Sequence, residues 1–139
     1  MELSGLQPCM AMEAKELEQC AVLLERHGRS LSTQDLDGLR DAYQQGLTLS
    51  GRIAVEGGVL PLLLYAFCDS PFLNDACFAD TLCALLELFC MLKAETQDAL
   101  SDEELMTAMA EVFNGPAQGS LEWLEGMSGA EWVRWVVQR

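Results

Sequence analysis

The chain has 139 residues, with 22 acidic and 8 basic side chains, one histidine and a formal net charge of -14; half of its residues are hydrophobic. So large an apolar share excludes a disordered acidic chain. The length suits one domain, residues 1–139, that buries roughly two thirds of its unfolded surface without disulfides or metal.

The dominant hydrophobic pattern is helical, so the expected fold is all-α: a compact bundle of six or seven helices. Pro8 suits a first helical turn. Met10, Ala14, Leu17, Ala21 and Leu24 then recur at spacings of four and three, and Gly28 suits the helix end. A second helix starts near Ser32 or Thr33, either able to cap it, buries Leu36, Leu39, Tyr43 and Leu47, and stops by Ser50-Gly51. Ile53 and Val55 alternate, so a short extended segment near residues 47–56 is an alternative. One form would be a hairpin pairing Leu47-Thr48-Leu49 with Ile53-Ala54-Val55.

A third helix over residues 59–68 has almost no polar face, which predicts burial all round at the centre of the fold. Pro61 falls in its first turn, where it is tolerated. Asp69-Ser70-Pro71 breaks it. A fourth and longest helix, over residues 74–96, carries the seam Phe78, Leu82, Leu85, Phe89 and Leu92. Ser101-Asp102-Glu103-Glu104 is a capping box opening a fifth, whose inner face is Leu105, Met109, Val112 and Phe113. Asn114-Gly115-Pro116 ends it. A short helix after Ser120 stops at Gly126. A second capping box, Ser128 to Glu131, opens a terminal helix bearing Trp132, Val133, Trp135, Val136 and Val137.

Charge narrows the function. Residues 53–139 hold 14 acids against Lys93, Arg134 and Arg139, so no cationic stripe exists to neutralise phosphates, and neither nucleic acid nor an anionic membrane is an expected partner. Residues 1–8 resemble no secretory signal, and the longest strongly apolar uncharged run, Val59 to Cys68, falls well short of a membrane span of about 20 residues. A soluble cytoplasmic protein with six reduced cysteines is expected.

Candidate chemistry is sparse. Asp80, Cys83, Glu87 and Cys90 share one helix edge, but an edge cannot surround a metal, and His27 is the sole histidine. No metal or cofactor is expected. Cys77 stands nearest a helix start, yet its acidic surroundings favour the thiol over the thiolate. His27 reads as a cation at a helix end. Gly57-Gly58 could offer amides to an anion, but Glu56 would oppose it. No catalytic residue is assigned. Trp132, Trp135 and Val136 form a possible partner surface, with docking inside the chain as the equal alternative.

The stretch Gly51-Arg52-Ile53-Ala54-Val55-Glu56-Gly57-Gly58-Val59-Leu60-Pro61, with Ala66-Phe67-Cys68-Asp69-Ser70-Pro71-Phe72, resembles an uncharacterised family of small acidic bacterial proteins, a domain of unknown function. The likeness continues through Thr81-Leu82 and Asp102-Glu103-Glu104-Leu105 to Gly119-Ser120-Leu121-Glu122. It implies a bacterial intracellular setting and assigns no functional residue.

Three functional expectations follow. The first is a non-enzymatic protein–protein interaction module, binding a protein partner or a second copy. The second is a small-molecule or metal-binding protein, an enzyme among its forms, with a pocket near Arg52, Glu56 and Asp69. The third is an acidic mimic of nucleic acid.

Overall fold

A computed structural model describes residues 14–51 and 59–138. Its elements are α1 (Ala14–Arg26), α2 (Thr33–Ser50), α3 (Val59–Phe67), a 3₁₀ turn (Asp75–Cys77), α4 (Phe78–Glu95), α5 (Asp102–Asn114), α6 (Leu121–Glu125) and α7 (Gly129–Val137). Among the described residues there is no strand.

Local chemistry sets the ends. Ser32, Ser101 and Ser128 each accept from the amide three residues on, and Asp35, Glu104 and Glu131 reach back to the capping residue's N–H. Gly28 (φ 66°) closes α1, and the Arg29 amide bonds the Leu24 carbonyl across the turn. Gly51 (φ 72°) closes α2 by donating to the Leu47 and Thr48 carbonyls. Leu47-Thr48-Leu49 is therefore the last turn of a helix, which removes one half of the hairpin alternative. The Leu47 and Thr48 carbonyls that a strand would need already accept from the Gly51 amide. Residues 52–58, its other half, lie outside the described residues, as do Pro8 and Met10.

The core runs between α3, α4 and α5. The α4 seam Phe78, Leu82, Leu85, Phe89 and Leu92 is buried, as are Leu105, Met109, Val112 and Phe113 of α5. Phe113 meets Phe67 and Phe72 edge-on, with ring centroids 5.5 and 6.4 Å apart. Helix α2 packs along α4, α1 against α3, and α6 and α7 against α5. Arg29 joins two loops: its guanidinium donates to the Cys68 and Ser70 carbonyls at 3.2 Å and lies 4.6 Å over the Phe78 ring. The α4–α5 connection is held by Lys93, whose buried ammonium is 2.7 Å from Asp102 and donates to the Leu100 carbonyl at 2.8 Å.

Helix α3 departs from the expectation of burial all round. Val59, Leu60, Leu63, Leu64 and Phe67 are buried, while Pro61, Leu62 and Ala66 are half-buried and Tyr65 is 72% exposed. Helices α1 and α5 pack against it without enclosing it, so one apolar face meets solvent. No described helix is long and apolar enough to cross a membrane.

Candidate functional site

The uncovered face of α3 lies beside an uncovered face of α5. From Leu62, the α3 side continues through Tyr65, Ala66 and Asp69, at offsets of three, four and seven. From Glu103, the α5 side continues through Thr107, Ala110, Glu111 and Asn114, at offsets of four, seven, eight and eleven. The α5 set and Leu62, Tyr65 and Ala66 of α3 are single helical stripes, and Asp69 follows in the turn just past α3. Together they line one groove of about 670 Å³. Leu62, Tyr65, Ala66 and Ala110 give it an apolar lining; Asp69, Glu103 and Glu111 supply three carboxylates and no lining residue is basic. Leu62 and Tyr65 also border a second, more apolar groove of about 650 Å³, shared with Glu18, Gln19, Val22 and Leu23 of α1.

The acidic groove is built on fixed parts. Ser70 is buried, and its hydroxyl bonds Asn114 Oδ1 while accepting from the Phe72 amide. That contact ties the end of α3 to the end of α5. Glu111 accepts from the indole Nε1–H of Trp135 at 3.1 Å, so α7 holds one rim carboxylate in place. Glu103 lies in the first turn of α5, where the helix dipole also favours an acid.

The residues singled out from sequence separate. Trp132 is 0% exposed and belongs to the core. Trp135 and Val136 are half-buried and packed on the core. Asp69 lines the groove, whereas Arg52 and Glu56, its expected companions, lie outside the described residues, with Gly57 and Gly58. Cys83 and Cys90 turn toward α2: Gly38 and Gly46 lie against their side chains. Among the described residues no group of His, Cys, Asp and Glu is placed to hold a metal ion. The described cysteines, Cys20, Cys68, Cys77, Cys83 and Cys90, are thiols outside any disulfide. Burial pushes the Cys83 thiol up, and Asp80, Glu87, Asp35 and Asp41 push the same way. Burial raises Cys68 too, with Arg29 opposing and Asp69 adding to the rise. Neither is disposed to act as a thiolate nucleophile near neutral pH. His27 is exposed just past the end of α1.

Sequence reasoning missed Leu62, Tyr65, Thr107 and Glu111. The available signal was Tyr65, the one polar-tipped side chain in an otherwise apolar helix, at helical spacing from Leu62 and Asp69.

The fold and groove define a small acidic all-α domain with an open apolar-and-acidic face. Residues 16–137 match the family of unknown function DUF6323, and the chain belongs to that family. No curated protein and no solved structure matches it.

Proposed function

We propose that this is a non-enzymatic bacterial cytoplasmic module that binds a basic protein partner. The carrying observation is the half-covered α3: Tyr65 is exposed and Leu62 half-buried beside Asp69, Glu103 and Glu111. Apolar side chains left exposed on a stable core supply contact area, and the surrounding carboxylates select cations. A net charge of -14 steers a cationic protein to its surface and repels acidic ones. Affinity purification from native lysate at low and at high salt, with mass-spectrometric identification, tests this. The expected result is one recurrent basic protein, held at low salt and released at high salt. Recovery of no partner in either condition contradicts it.

A second reading rests on the groove's volume, which falls in the range of small-molecule sites. Here the ligand is a small organic cation paired with Asp69. Thermal stabilisation by a panel of amines, lost in Asp69→Asn, is the expected result. No stabilisation by any amine contradicts it.

A further inference from the structure

Resting on the protein-partner reading above, we infer that the groove between α3 and α5 takes a single amphipathic helix, apolar on one side and flanked by Lys and Arg. Its walls are two neighbouring helices, each presenting a stripe at helical spacing that the described residues cover only in part. That arrangement is a three-helix packing with one helix missing. A third helix lies in such a trough with its axis about 8–10 Å from each wall. The shorter wall, α3, has nine residues and rises about 13 Å, enough to seat roughly two turns or more of a partner. Strand addition is not open to the partner, since the described residues offer no sheet edge.

Small side chains set how closely the partner approaches. Ala66 and Ala110 are small, half-buried lining residues that leave room in the trough, and Tyr65 beside them is exposed. An apolar anchor therefore seats over the alanines. The acids sit along the trough: Asp69 ends the α3 wall, and Glu103 and Glu111 lie about two turns apart on the α5 wall. Cations on both flanks of the incoming helix meet them, and a Lys or Arg beside Tyr65 also finds a ring face. A second copy of this chain is a poor occupant, because it would bring a charge of -14 to a charge of -14.

The test uses the full chain and three labelled peptides: an amphipathic Leu/Lys helix, a scramble of the same composition that breaks the apolar stripe, and a Leu/Glu helix. Fluorescence anisotropy should show binding of the Leu/Lys helix alone. Two paired substitutions remove equal charge: Glu103→Gln with Glu111→Gln in the groove, and Glu122→Gln with Glu125→Gln on α6. The groove pair should weaken binding by about tenfold and the α6 pair by less than about twofold. Glu111→Gln keeps a side-chain oxygen that accepts from the Trp135 indole, so the tie between α5 and α7 survives the loss of charge. Tyr65→Ala, at an exposed position, should weaken binding by about fivefold. In indole N–H spectra of the unsubstituted chain the Trp135 resonance should move on binding, because its acceptor Glu111 gains a cationic partner, while that of buried Trp132 stays.

Equal losses from the two charge pairs would overturn the groove as the site. Equal binding of the scramble would overturn the helical occupant. Absence of binding by every peptide would overturn the inference as a whole. In each case the lysate experiment still decides separately whether the protein-partner reading stands.

Discussion

Gly46 lies on the face of α2 that packs against α4. A Cβ there would sit 2.9 Å from the Cβ of Cys90 and 3.0 Å from its Sγ. Gly38, buried Ala42 and Gly46 recur every four residues, so α2 offers α4 a stripe with little side chain. Gly46→Ala is expected to lower stability by about 1–2 kcal/mol despite alanine's better helix propensity. A urea midpoint unchanged from wild type would contradict this. The stripe goes unread in the sequence because a helical glycine registers there as a local cost, and what it touches appears only in the fold. Leu36, Leu39, Tyr43 and Leu47 are legible because size and period coincide. Cys83 is legible only in part: its acidic neighbours on α4 show in the sequence, but Asp35 and Asp41 arrive from α2 through packing. Its raised thiol pKa stabilises the fold fully below the ordinary thiol value and loses that contribution as pH rises through the folded value. Stability should therefore fall above about pH 8.5. Cys83→Ala should flatten that fall in a series of denaturation midpoints; an identical slope would contradict it.

At the scale of elements, capping is the most readable feature. The boxes at Ser101–Glu104 and Ser128–Glu131 form as their spacing requires. What joins the helices is not readable. Lys93 reads as an isolated cation on α4, yet it is buried against Asp102, with Asp98 at 3.6 Å, across a loop in which Gln97 and Asp98 are left-handed. Asp102→Ala leaves the buried ammonium only the Leu100 carbonyl and the half-exposed Asp98 at 3.6 Å, and should cost about 3 kcal/mol in chemical denaturation. Adding Lys93→Met to it should recover part of the loss, and a double variant no more stable than Asp102→Ala would contradict the pairing. Helix α7 is fixed from both sides: Glu95 accepts from the Gly129 amide at 2.7 Å, and Trp132 fills the core. Trp132→Ala should cost about 3–5 kcal/mol, whereas Trp135→Phe should chiefly take the indole donor away from Glu111. A Trp132→Ala thermal midpoint equal to wild type would contradict this account of α7. Two tryptophans three residues apart share a helical face by period alone, so the sequence does not separate the buried one from the one that reaches Glu111.

Across the whole molecule, fold class and charge are legible and the surface is not. A run of Leu, Tyr, Ala and Phe predicts a buried helix, but burial depends on how many neighbours reach it. Helices α1 and α5 leave Tyr65 exposed and Leu62 half-buried. The carboxylates of Glu103 and Glu111 come from a helix more than thirty residues further along, so no local pattern announces the groove. The most direct test of a partner surface on α3 and α5 is hydrogen exchange of the full chain with and without the Leu/Lys helix. Protection should rise along residues 62–69 and 103–114 while α2 and α4 exchange as before; protection centred on α2, α4 or α6 would contradict it.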